Sequence, residues 1–116
     1  VDGDRTNARK HLNAAAVAGL AEAQFNLAVM GQEDGDAATA QRQYEAAARQ
    51  GFGPAQFNLA LMMLADPNGD TPGALAWLIL SAEQNTPNAQ AARDQVSAAL
   101  TEDERAEAAQ RVKALR

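Results

Sequence analysis

The chain of 116 residues contains no cysteine, which excludes a disulfide framework and any thiolate metal site. Its only histidine is His11 and its only serines are Ser81 and Ser97. One imidazole without a thiol cannot complete a metal set or supply a nucleophile with its base. The serines sit inside helical stretches and lack the glycine-flanked turn that exposes a catalytic serine. Aromatic residues make up 4% of the chain, and the best strand formers are scarce, so a sheet-based core is excluded. Positive charge is in deficit too. Fifteen acidic residues against ten basic ones leave a net charge of −5, the wrong sign for a nucleic-acid binder. No apolar run approaches the ~18 residues of a membrane span.

What the chain has in excess is alanine, 29 residues of 116. Alanine is the strongest helix former and the smallest side chain that still favours a helix. The composition therefore predicts an all-α protein with closely approaching helices. About 116 residues bury roughly two-thirds of the unfolded surface, enough for one modest core, so residues 1–116 are read as a single domain. The chain opens on Val1 without a charged-then-apolar leader. A trimmed or processed chain is expected, and cytoplasmic and exported locations both stay open.

An internal repeat organises the sequence. Residues 14–30 read AAAVAGLAEAQFNLAVM and residues 46–62 read AAARQGFGPAQFNLALM, identical at 11 of 17 positions at an offset of 32 without a gap. Alanine bias could produce two or three such matches, but not a shared AQFNLA. A weaker third copy follows at an offset of 34. There Ala74, Leu78, Ser81, Ala82, Gln84, Asn85, Ala89 and Gln90 stand where Ala40, Tyr44, Ala47, Ala48, Gln50, Gly51, Ala55 and Gln56 stood. Agreement stops after Gln90, as expected for a terminal repeat with one face in solvent.

Punctuation places the helices. Gly19 and Gly51 follow apolar-periodic runs, where a left-handed closing residue suits glycine, and Asn85 is the next-best residue for that conformation. Gly53-Pro54, Thr71-Pro72 and Thr86-Pro87 put proline at a first helical position, where its missing N–H costs nothing. Asp34-Gly35-Asp36 stops one helix and caps the next. Thr101 and Glu104 form a capping box; the acids at 102–104 and the bases Arg111, Lys113 and Arg116 follow the dipole of that last helix. Seven helices result, at about 4–18, 21–33, 36–50, 53–65, 71–84, 87–99 and 101–115. Short connections force antiparallel neighbours.

The recurring frame, alanine, then an aromatic or leucine, Ala-Ala, Gly, and Ala-Gln-Phe-Asn-Leu, resembles the Sel-one-like repeat, a relative of the tetratricopeptide repeat. The residues that carry the resemblance are Ala40, Tyr44, Ala47, Ala48, Gly51, Ala55, Gln56, Phe57, Asn58 and Leu59. The first copy supplies Ala8, Leu12, Ala15, Ala16, Gly19, Ala23, Gln24, Phe25, Asn26 and Leu27; the third supplies Ala74, Trp77, Leu78, Ala82, Ala89 and Gln90. The likeness covers roughly residues 4–95. It departs from the family at Ala28 and Ala60, where glycine is common. It implies a right-handed α/α superhelical solenoid with repeat-like units at about 4–35, 36–70 and 71–100 and a capping helix at 101–115.

A stacked array bends and so presents an inner wall. The resemblance implies that helices 21–33 and 53–65, followed by 87–99, line it. Helical spacing then turns Glu22, Asn26, Val29 and Glu33 inward from one helix and Pro54, Asn58, Leu61 and Ala65 from the next. This partly apolar strip with acidic edges suits an extended peptide or a partner helix. Asn26 and Asn58 carry an acceptor and two donors each and could grip a peptide backbone. The competing reading is that each asparagine bridges to the adjacent helix pair and fixes the stack. Phe25, Phe57, Leu27, Leu59, Met30 and Met62 read as core, Tyr44 and Trp77 as inter-helix packing, and His11 as a half-buried packing residue.

No reaction assembles from these residues. Acidic pairs fall at helix starts, where capping accounts for them, and the glycines are helix punctuation with no phosphate-cradling loop. The sequence thus reads as a non-catalytic protein-interaction module without cofactor or metal, whose partner is a protein or peptide and neither nucleic acid nor membrane. Two alternatives stand beside it. One is an accessory or regulatory fragment of a larger enzyme or signalling protein. The other is a self-stacking assembly element that associates through its open N-terminal end, where Leu12 and Val17 lack a preceding partner helix.

Overall fold

The computed structural model describes residues 2–116, and among them the chain forms seven α-helices and no strand. These are α1 (Asp2–Val17), α2 (Ala21–Glu33), α3 (Ala37–Arg49), α4 (Gly53–Ala65), α5 (Thr71–Glu83), α6 (Ala89–Ala99) and α7 (Glu102–Leu115). All seven lie within two residues of their sequence-read spans at both ends.

The ends are set by local chemistry. After α1, Gly19 at φ 89° lets its own N–H donate to the Ala16 carbonyl (2.9 Å) and the Leu20 N–H to that of Ala15 (3.1 Å). The same pair of bonds closes α3 at Gly51 and α5 at Asn85, the latter at φ 59°. Each closure satisfies two carbonyls that the helix itself leaves orphaned. Asp36 accepts from the Thr39 N–H at 3.1 Å, and Asp70 from the Gly73 N–H at 3.0 Å, so both act as N-caps. The Thr101–Glu104 capping box is formed in both directions.

Two expectations need correction. α6 does not start at Pro87: Asn88 adopts φ 70°, a left-handed backbone that ends the Thr86–Asn88 turn and delays the helix to Ala89. His11 is exposed rather than half-buried, because α1 packs on α2 without a second helix against its other flank.

Packing follows chain order. α1 lies on α2, α2 on α3, α3 on α4 and α4 on α5, while α5 also carries both α6 and α7. The body measures 50 × 27 × 21 Å with a radius of gyration of 14.8 Å, against about 13 Å for a rounder domain of this length. Alanine makes the close approach possible. Ala28, Ala40, Ala47, Ala55, Ala60, Ala74 and Ala76 have no exposed surface, and they surround Tyr44, Leu59, Trp77 and Leu78. At Gly31 even a methyl group would stand 3.2 Å from the Ala40 nitrogen, so α2 and α3 touch backbone to backbone there. Phe25 and Phe57 are only partly buried, at the margin of this core. Ion pairs tie the outer helices: Arg5 and Arg9 of α1 meet Asp34 after α2, and Arg111 of α7 meets Asp70 ahead of α5. No helix among the described residues is long and apolar enough to cross a membrane.

The two strong sequence copies make one contact in common. Gln24 donates to the Ala16 carbonyl at 3.4 Å, and Gln56, its counterpart, donates to the Ala48 carbonyl at 3.2 Å. Each buried amide thus pins the start of one helix to the end of the preceding helix. An identical glutamine 32 residues on, facing an identical alanine, was the sequence signal for this bond.

Candidate functional site

The strip read from the sequence lies on α2 and α4, and the structure places its members unequally. Glu22 and Asn26 of α2 are exposed, Val29 is half-buried against the core, and Glu33 is exposed and reaches Arg5 at 3.3 Å. On α4, Pro54 is exposed in the first turn, Asn58 is half-buried, Leu61 is 43% exposed and Ala65 is exposed in the last turn.

The two asparagines have different surroundings. Asn58 Nδ2 donates to the Tyr44 hydroxyl at 3.3 Å, and that hydroxyl donates to Gln32 Oε1 at 2.5 Å. Tyr44 is a fully buried residue of α3, so its hydroxyl connects α2, α3 and α4 through one polar bridge. Asn26 has no such tie, because Leu12 stands 32 residues before Tyr44 and brings no hydroxyl. None of the described residues takes the Asn26 amide. Asn58 therefore bridges to the adjacent helix, through a side chain rather than a backbone group, while Asn26 leaves its amide free for solvent or a ligand.

Electrostatics around the bridge are one-sided. Burial pushes the Tyr44 phenol above its ordinary range; the Asn58 amide pulls it back in part, and the negative charge of Glu33 pushes it up further. The hydroxyl is thus held as a neutral donor and acceptor between two amides and a carboxylate. The same two helices also carry the exposed Asn26 amide and the apolar side chains of Val29, half-buried, and Leu61, exposed. Amides can pair with peptide N–H and C=O groups irrespective of sequence, and the apolar patches can take alternate side chains. Sequence reading singled out Asn58 but missed Gln32 and treated Tyr44 as packing alone.

A concavity lies away from this strip. α3 and α5 make little direct contact, and a cleft of about 390 Å³ opens there, walled by Gln41, Glu45 and Arg49 of α3 and by Arg111 and Leu115 of α7. Its floor is Leu59, Met63, Ala76 and Trp77. The charges on its rim are paired, Glu45 with Arg49 along α3, and Arg111 with Glu107 along α7 and with Asp70 ahead of α5. None of the eight strip residues lines it. Among the described residues no three His, Asp or Glu side chains converge as a metal site would require. Comparison of the chain with protein-family models, with curated proteins and with solved structures finds no match.

Proposed function

We propose that this chain is a non-catalytic interaction module, a Sel-one-like, tetratricopeptide-related α/α array that holds an extended peptide or a partner helix along the α2–α4 face. The observation that carries the reading is the polar bridge at the Tyr44 hydroxyl, which joins Gln32 of α2 to Asn58 of α4. Gln32 and Asn58 are set at fixed distances by the buried phenol, the Asn26 amide is uncommitted, and Leu61, three residues after Asn58 on α4, stands 43% exposed. A rigid polar bridge spares a ligand the cost of ordering it on binding. The repeat supports the superhelical reading, since Gln24 and Gln56 join successive helices in the same way.

Selection of peptides from a random library against the folded chain tests this. Selected peptides should lose about tenfold or more in affinity on Asn26→Ala and on Leu61→Glu, a factor of ten being 1.4 kcal/mol, with the thermal midpoint unchanged. Binding that ignores both substitutions but falls with Gln41→Glu or Leu115→Glu would move the site to the α3–α7 cleft and end the proposal.

A further inference from the structure

The link between α4 and α5 reads Asp66-Pro67-Asn68-Gly69-Asp70, and Asn68 is the only asparagine of the chain that a glycine follows. Glycine carries no Cβ, so the Gly69 nitrogen has unhindered access to the Asn68 side-chain carbonyl. The reaction this allows needs only base and water. The Gly69 nitrogen gives up its proton and bonds to Asn68 Cγ, the Cγ–Nδ2 bond breaks, and Nδ2 leaves as ammonia. Water then opens the resulting imide. Addition at Cγ gives aspartate; addition at the main-chain carbonyl carbon gives isoaspartate, whose backbone runs through Cγ and is one atom longer.

The folded chain restrains that reaction. Asp66 to Gly69 form a turn closed by the Gly69 N–H, which donates to the Asp66 carbonyl at 2.8 Å; Asp first, Pro second and Gly fourth is an order that tight turns favour. The Asn68 N–H donates to Asp66 Oδ1 at 3.0 Å. Asn68 is exposed to water, but the proton that must leave is held by the Asp66 carbonyl. A methyl group on Gly69 would fall on the Met63 carbonyl oxygen, so the turn is pressed against the end of α4. The next residue, Asp70, caps α5 through the Gly73 N–H at 3.0 Å and pairs with Arg111 of α7. We propose that Asn68 is a self-modification site gated by this turn. It is shielded while the turn is closed, converts to isoaspartate when the turn opens, and the product does not let the turn re-form. One more main-chain atom ahead of Gly69 is incompatible with its bond to Asp66 and its seat against Met63, so Asp70 is pushed off the α5 N-terminus and away from Arg111. The new carboxylate also stands between those of Asp66 and Asp70, where like charges repel. Conversion at one turn thus loosens the cap of α5 and its tie to α7. The chemistry does not depend on what the α2–α4 face binds.

The test incubates the full chain in mildly alkaline buffer, folded or in concentrated guanidinium chloride. Trypsin releases residues 50–93 as one peptide, since no Lys or Arg lies between Arg49 and Arg93. Fragmentation mass spectrometry then locates the conversion, and enzymatic methylation of isoaspartate identifies the product. Conversion at Asn68 is expected in the unfolded chain, and about tenfold or more slower in the folded one. Hydrogen exchange at the Gly69 amide should be slowed by a comparable factor, because the same opening frees the same proton. Asp66→Ala deletes the side-chain bond to the Asn68 N–H but keeps the closing carbonyl, and should speed conversion of the folded chain; Asn68→Gln should abolish it. The isoaspartate form should unfold about 4 °C or more below the unmodified chain, and Asn68→Asp, which adds the charge without the extra atom, should fall less. Equal rates in the folded and unfolded chain, or no isoaspartate at Asn68 in the unfolded chain, overturn the inference. An isoaspartate form with the midpoint of the unmodified chain does so too, since the turn would then accept the product.

Discussion

Removing the Tyr44 hydroxyl is the sharpest perturbation of the polar bridge. Tyr44→Phe keeps the ring, its contact with Phe25 and the packing of α3, but deletes the bonds to Gln32 at 2.5 Å and from Asn58 at 3.3 Å. A net hydrogen bond contributes about 1 kcal/mol. Gln32 is exposed and Asn58 half-buried, so both amides can turn partly to water, and the loss should total about 1–2 kcal/mol. For a domain of this size that is a fall of about 5–10 °C in the thermal midpoint. Tyr44→Ala also empties the fully buried site and should cost about 3–5 kcal/mol. Trp77 is the only tryptophan and is buried, so its fluorescence follows unfolding without labels. A double-mutant cycle of Tyr44→Phe with Asn58→Ala should give a coupling of about 0.5–1.5 kcal/mol. The phenol adds a pH signature. Its folded pKa is raised, mainly by burial, so its contribution is fully present below the unfolded value of about 10 and is lost as pH rises through the folded one. The wild type should therefore lose stability in strong alkali more steeply than Tyr44→Phe. Tyr44 is the only tyrosine, and the tyrosinate absorbance band reports its titration alone. Zero coupling to Asn58, or a midpoint for Tyr44→Phe within about 1 °C of wild type, would refute the bridge.

Three further outcomes follow from local geometry. Gly69→Ala should cost about 1–3 kcal/mol by chemical denaturation, because its methyl group would fall on the Met63 carbonyl oxygen, which is backbone and cannot turn aside. Asp36→Asn should flatten the acid limb of stability. Its carboxyl is held below the usual range by the Thr39 hydroxyl and N–H, so that contribution is present above the unfolded value near 3.8 and disappears as pH falls through the folded one. Asn26→Ala should leave the midpoint within about 1 °C of wild type, whereas Asn58→Ala should lower it, since only Asn58 bonds to another helix.

Much of the fold is legible in the sequence because helix ends are local chemistry. Gly19, Gly51 and Asn85 close their helices with the backbone sign that their side chains permit, and Thr101 with Glu104 opens α7 by bonds spanning three residues. The start of α6 escapes that logic because Asn88 is left-handed, and a proline ahead of it does not announce that. Tertiary features are harder to read. Burial of a tyrosine ring follows from its place in the repeat, but the direction of its hydroxyl depends on which side chains meet it between α2 and α4. Half of the asparagine question was present in the chain all along: Leu12 replaces Tyr44 one repeat earlier, so Asn26 and Asn58 could not share a partner. The cleft beside Trp77 depends on how far α3 and α5 diverge, a distance that no periodicity encodes.

The most direct test of the account is amide chemical-shift mapping of a library-selected peptide on the isotope-labelled chain. The α2–α4 reading predicts perturbations centred on Asn26, Val29, Asn58 and Leu61, with the Gln32 side-chain amide among them. Perturbations confined to Gln41, Glu45, Trp77 and Arg111 would contradict it.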